Sequence, residues 1–187
     1  MAQLTAAKIK SIKSLSQKKF RNEEKLFIVE GEKLVEEAEK SGFKIVEKYY
    51  RDELGDNAMS RISSLSSPSP VLAVVEQKNV SLDVFIQSSI AVDKGLYLAL
   101  DDIKDPGNLG TIIRVADWFG IDAIFASNET VELYNPKVVQ ATMGAIFRKN
   151  VIYCNLKEAL SALSDKGLPV YGTFLDGENI YKKKTYT

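Results

Sequence analysis

A chain of 187 residues allows one large domain or two small ones, and its 45% hydrophobic content is ordinary for a globular protein. Twenty-five Lys and Arg against twenty-five Asp and Glu leave no net charge, which argues against a protein that coats nucleic acid indiscriminately but allows a local basic patch. With no histidine, the usual neutral-pH general base and commonest metal ligand are absent, and one cysteine, Cys154, excludes an intrachain disulfide.

In chain order, Ala7, Ile9, Ile12 and Leu15 recur at helical spacing in the basic N-terminal stretch. "KLFIVEG" predicts a strand ending at Gly31, and "EKLVEEAEKSG" a helix with Leu34, Val35 and Ala38 on one face. "FKIVEKYY" alternates like a half-buried strand, and a Ser/Pro-rich turn feeds a short buried strand at residues 71–75. After a polar stretch, strands are expected at residues 96–100, 121–126, 150–153 and 169–174. Helices at residues 109–119, 136–143 and 156–165 alternate with them. Strand–helix alternation with apolar, β-branched strands predicts a parallel sheet covered on both faces. The fold class is therefore α/β, with expected domains at residues 1–92 and 93–187. The start has no apolar signal core, and no stretch is long and apolar enough to span a bilayer. With the single cysteine, this points to a soluble, cytoplasmic protein.

The first turn of the second unit holds the densest chemistry, "DDIKDPGNLGTIIRVADWFG" at residues 101–120. Ligands of parallel sheets bind beyond the carboxyl ends of strands, where this turn sits. Asn108 suits a helix N-cap, and Gly107 and Gly110 permit close backbone approach. The turn is neither a phosphate loop nor a dinucleotide fingerprint. At 100° per residue, Leu109, Ile112, Ile113, Ala116 and Phe119 cluster towards the sheet and Arg114 points away, near Thr111 and Trp118. Spacing alone leaves two readings of Arg114. It is a solvated arginine paired with Asp117 and stacked on Trp118, or it belongs to a face that meets a substrate or a second subunit.

The run Asp-x-x-Asp-Pro-x-Asn-x-Gly-x-x-x-Arg-x-Ala-Asp resembles the first motif of the SpoU/TrmH family of RNA ribose 2'-O-methyltransferases, within the SPOUT class. "YNPKVVQATMGAIFRKNV" and "PVYGTFLDGENIY" resemble the following blocks. "QKKFRNEEKLFIVEGEKLVEEA" and "SPSPVLAVV" are similar to the family's small, ribosomal-protein-like α/β substrate-binding domain. The resemblance implies an RNA-binding unit followed by a SPOUT (α/β-knot) unit. It implies S-adenosylmethionine as methyl donor, ribosomal RNA as substrate and a homodimer, to which Trp118 would contribute. It also places Arg114 and Asn108 at the catalytic site, and Thr173 and Phe174 beside the donor. A guanidinium stays protonated up to a pKa above ~12, so a bidentate phosphate clamp suits Arg114 better than a general base.

The family's second motif, Gly-x-Glu-x-Gly, and third, with Ser-Leu-Asn, build the knotted tail. The sequence ends at "YKKKTYT" without them. Weak binding of the donor by residues 1–187 alone is expected, whether the chain is a fragment or a natural truncation. Lys18, Lys19 and Arg21 around Phe20 are the expected RNA contacts, since cations beside an aromatic suit phosphate and base. The lysines at residues 8–13 and the run at residues 182–184 read as solvated faces, and Cys154 as a core residue. The rival readings are a non-catalytic RNA-binding relative and a small nucleotide-binding module with a flavodoxin-like sheet.

Overall fold

Two three-stranded sheets organise the chain in the computed structural model, which describes residues 4–88, 95–177 and 179. The first sheet joins β1 (Leu26–Glu30), β2 (Ile45–Tyr50) and β3 (Val71–Glu76) in the order β1-β3-β2, with both pairings antiparallel. Period-two alternation divides its apolar side chains between two faces. Ile28, Leu72 and Val74 face α1 (Ala6–Ser14) and α5 (Asp56–Ile62), packing on Ile9, Ile12, Met59 and Ile62. Phe27, Val29, Val71, Ala73 and Val75 face the other way, onto Leu34, Val35 and Ala38 of α3 (Glu32–Lys40). Two further short helices, α2 (Lys18–Glu24) and α4 (Arg51–Leu54), complete this part.

The second sheet is parallel, as the strand–helix alternation predicts. It runs β4 (Tyr97–Leu100), β5 (Ala123–Ala126), β6 (Asn150–Tyr153), with Leu98, Ile124 and Val151 in register. One face carries α7 (Pro106–Trp118), α8 (Pro136–Ala141) and a 3-10 turn at Ala145–Phe147. The other carries α6 (Leu82–Ser88) and α9 (Leu156–Asp165), which pack Phe85, Ala159 and Leu163 on Phe125 and Ile152. Cys154 lies in this second core as a small buried residue, and burial pushes its thiol above the usual range.

One hydrophobic core belongs to both sheets. Phe27, Val29 and Val75 of the first sheet cluster with Ile113, Tyr134, Val138, Val139 and Phe147 of the second part. Polar links, Arg21 with Glu132 among them, reinforce the seam. Gln140 Nε2 donates to the Glu30 carbonyl at 2.9 Å, the Tyr134 hydroxyl donates to the Lys78 carbonyl at 2.6 Å, and Arg148 pairs with Glu37.

Three expectations need correction. Helix α7 begins at Pro106, three residues before the expected residue 109. Phe119 does not join its buried face but closes the helix as an exposed C-cap. The helical spacing of Ile9 and Ile12 belongs to α1, and a second helix, α2, follows it in the basic arm. No strand forms at residues 169–174. That segment is irregular, and Val170, Tyr171, Thr173 and Phe174 are all exposed. Leu168–Tyr171 instead share an apolar groove of about 180 Å³ with residues 95–99 at the β4 edge. The side chains of residues 169–174 stay in water, and burial is what stabilises a strand on a sheet face.

Candidate active site

The loop after β4 is held against the loop after β5 before α7 begins. Asp102 N–H donates to Ser127 Oγ at 2.9 Å, Ile103 N–H to Thr130 Oγ1 at 3.2 Å, and Val131 N–H to the Ile103 carbonyl at 2.8 Å. Asp102 itself has φ +56°, a left-handed backbone that is uncommon outside glycine. These bonds fix where the helix starts, at the carboxyl edge of the parallel sheet.

Asp105 is the N-cap. Its Oδ1 accepts from the Asn108 N–H at 2.7 Å, and Pro106 occupies the first helical position, where a missing N–H costs nothing. The expected capping role of Asn108 therefore falls to Asp105. Among the described residues no partner is recorded for the Asn108 side chain, which points into solvent. Gly110 is required by packing, not by a phosphate. A Cβ there would lie 2.4 Å from Ala141 Cβ and 2.9 Å from its carbonyl carbon, so α7 and α8 touch through this glycine.

Leu109, Gly110, Ile113 and Ala116 are buried. Asn108, Thr111, Arg114, Val115 and Trp118 are exposed and fall within an arc of about 120° on the opposite side. Asn108 and Arg114 thus share one face, with Thr111 between them. The Asp117 pairing considered for Arg114 does not occur. Arg148 Nε and Nη2 hold the Asp117 carboxylate at 2.9 and 2.8 Å, and Lys149 stands at 3.9 Å. Arg114 is left with no recorded acidic partner among the described residues. Beside it Trp118 is 85% exposed and Phe119 71%.

The other expected site residues are dispersed. Lys18 and Lys19 are exposed on α2, with Lys19 3.9 Å from Glu23 and 5.8 Å from the Phe20 ring centroid. Arg21 is corrected. Its side chain is 2% exposed, donates to the Leu15 carbonyl at 2.8 Å and forms a two-pronged pair with Glu132, so it is not available to RNA. Thr173 and Phe174 lie in the exposed segment after α9 and line no wall of the cleft that borders Pro106. The lysine run at residues 182–184 lies outside the described residues.

That cleft, of about 850 Å³, separates the two parts of the chain and is lined by Ser16, Ser64, Ser66, Pro106, Asn135 and Lys137. The serine loop is held by Glu30, a 3% exposed carboxylate that accepts from Ser64 N–H at 2.8 Å and from the Ser63 and Ser64 hydroxyls. Glu30, Ser64 and Lys137 were not foreseen. A carboxylate inside an apolar strand and a Ser-rich turn carry no sequence signal that they meet.

Known proteins account for both parts. The profile of the SpoU rRNA methylase family matches residues 95–187, and that of the MRM3-like substrate binding domain matches residues 6–85. The chain is 31% identical to the 23S rRNA (guanosine(2553)-2'-O)-methyltransferase of Bacillus subtilis, over 98% of its own length and 77% of the relative's. A TrmH-family structure from Porphyromonas gingivalis superposes with a TM-score of 0.83 at 32% identity, covering 99% of this chain and 77% of that one. The AdoMet-bound rRNA methyltransferase of Sinorhizobium meliloti gives 0.77 at 30% identity, covering 88% and 69%. Likeness that spans both sheets, and the motif helix between them, shows that the chain belongs to the SpoU/TrmH family of RNA methyltransferases.

Proposed function

We propose that the chain serves the transfer of a methyl group from S-adenosylmethionine to a ribose 2'-hydroxyl of ribosomal RNA in the cytoplasm. The observation that carries this reading is Arg114. It is a cation left without an acid among the described residues, beside Asn108 and Thr111, on the exposed face of a helix that starts at the sheet's carboxyl edge. A guanidinium offers paired N–H donors to a phosphate, so Arg114 clamps the backbone next to the acceptor ribose while Asn108 hydrogen-bonds within the same face. Lys18 and Lys19 extend the contact to flanking phosphates.

For the donor, the fit is poor. Thr173 and Phe174 are exposed and belong to no strand, so the described residues do not enclose an S-adenosylmethionine molecule, and ligands of that size need most of their surface buried. What these residues build is the acceptor side of the reaction. Titrating residues 1–187 with S-adenosylmethionine in a calorimeter should give no micromolar binding; micromolar affinity from a monodisperse sample would place the donor site elsewhere. The exposed Trp118 and Phe119 beside Arg114 support a homodimer built across this helix face.

Isotope-labelled S-adenosylmethionine and ribosomal RNA, incubated with a form of the protein extended by the family's knotted tail, test the reading. Label is expected in 2'-O-methylnucleosides after nuclease digestion. Arg114→Ala is expected to lower the rate by ~100-fold or more with an unchanged melting temperature. Label in a base, or RNA binding with no transfer at all, would favour a different acceptor or the non-catalytic relative.

A further inference from the structure

A second cleft, of about 230 Å³, opens where α2 faces the loop after β5. Its lining divides sharply into satisfied and unsatisfied groups. Gln77 Nε2 donates to the Arg21 and Leu26 carbonyls at 3.1 and 3.2 Å, and the Tyr134 and Tyr153 hydroxyls donate to backbone carbonyls. Glu132, the one carboxylate in the wall, is neutralised by the buried Arg21. Five exposed side chains remain around this closed floor: Lys18, Asn22, Lys25, Asn79 and Asn128. No hydrogen bond or ion pair is recorded for any of them among the described residues. Two positive charges are thus unopposed beside three free carboxamides.

Lys25 closes α2 as its C-cap at φ +56°, the left-handed conformation with which many helices end. Gln77 holds it there, its N–H donating to the Lys25 carbonyl at 2.8 Å. This helix end sets Lys25 in the lining of the cleft. The cleft is also placed for the reaction. Asn128, Thr130 and Tyr153 stand at the carboxyl ends of β5 and β6, the edge from which α7 departs, and Ser127 and Thr130 hold the loop that leads to α7.

We propose that this cleft is an RNA-backbone site, with Lys18 and Lys25 on phosphates and Asn22, Asn79 and Asn128 on sugar or base edges of a strand passing towards Arg114. It rests on the reading of RNA as substrate. Cations select an anion, and carboxamides, which both donate and accept, match a 2'-hydroxyl or an unstacked base. The volume falls below the ~300–1,000 Å³ of pockets that bury a whole small molecule, as suits a stretch of polymer that lies mostly outside.

The test uses fluorescence anisotropy of a labelled single-stranded fragment of ribosomal RNA with the 187-residue chain. Lys25→Gly combined with Asn128→Ala should weaken binding about tenfold. The log–log salt slope should fall by ~0.7 for the lost phosphate contact. Glycine suits the left-handed backbone, so the melting temperature should hold; Lys25→Asn, which also tolerates it, replaces the variant if it unfolds. Lys157→Ala, on α9, should bind like the parent. Parental affinity and slope in the double variant overturn the cleft while leaving the RNA reading intact. No RNA binding by the parent overturns both. Competition by polyglutamate as strong as by unlabelled RNA would mean that the cleft serves an acidic protein instead.

Discussion

A methyl group at Gly110 would meet backbone atoms of Ala141 as well as its side chain, and backbone cannot swing aside. Alanine is the better helix former by ~1 kcal/mol, so propensity alone favours Gly110→Ala. The clash decides the sign. Overpacking costs ~1–3 kcal/mol, and a lower urea midpoint is the expected outcome. Arg21 makes a similar point with charge. Arg21→Ala would leave Glu132 buried without its cation and the Leu15 carbonyl without its donor, at a cost of ~3–5 kcal/mol. Arg21→Met with Glu132→Leu should recover most of that loss in thermal melts; a single variant as stable as the parent would show that the pair contributes nothing. Arg21 was misread because it stands in a basic run, while its acid is 111 residues away. Arg114 was open for the converse reason. Its neighbour Asp117 was visible, but the cation that takes Asp117, Arg148, comes from 31 residues downstream.

Helix α7 shows what periodicity conveys and what it leaves out. The apolar spacing located Leu109, Ile113 and Ala116 on the buried side and Arg114 and Trp118 opposite, because a regular helix converts spacing into direction. The start was misplaced because Asp, Pro, Gly and Asn all read as turn residues, and only geometry shows that Asp105 caps while Asn108 is already helical. The two roles now separate experimentally. Asp105→Ala should cost ~1 kcal/mol of stability through the lost cap. Asn108→Ala should leave the melting curve within ~0.5 kcal/mol of the parent and lower methyl transfer. Matched stability losses in both would return Asn108 to a structural role. The segment at residues 169–174 failed for a tertiary reason. Its β-prone residues remain exposed, and β-propensity expresses the surroundings more than the backbone.

Across the whole molecule, two sheets were apparent in the sequence and their common core was not. Alternation reveals that Phe27, Val29 and Val75 point to one face, but not that Tyr134 and Val139 cover it. Tyr134 is a titratable member of that seam. Burial pushes its hydroxyl from 10.0 up to about 12, partly offset by the Lys78 N–H, which donates to its oxygen at 2.9 Å. A folded pKa above the unfolded one means that the folded state keeps a proton the unfolded chain releases. The contribution, about 3 kcal/mol, is present below pH 10 and is lost as pH rises towards 12. Urea midpoints across that interval should fall more steeply for the parent than for Tyr134→Phe; parallel curves would show that the seam does not strain the phenol.

The common core also limits how the protein can be rebuilt. Hybrid enzymes are made by cutting between a recruiting module and a reacting one and joining halves of different origin. Here such a cut separates Phe27 and Val75 from Tyr134, Val138 and Phe147, exposing apolar surface on both pieces. A graft that carries only residues 6–85 into another methyltransferase should aggregate, whereas one that also matches the facing surface of α8 and the Ala145–Phe147 turn should stay monodisperse. Exchange of RNA specificity between relatives of this architecture thus demands co-inheritance of the surface underneath, not of the recruiting half alone.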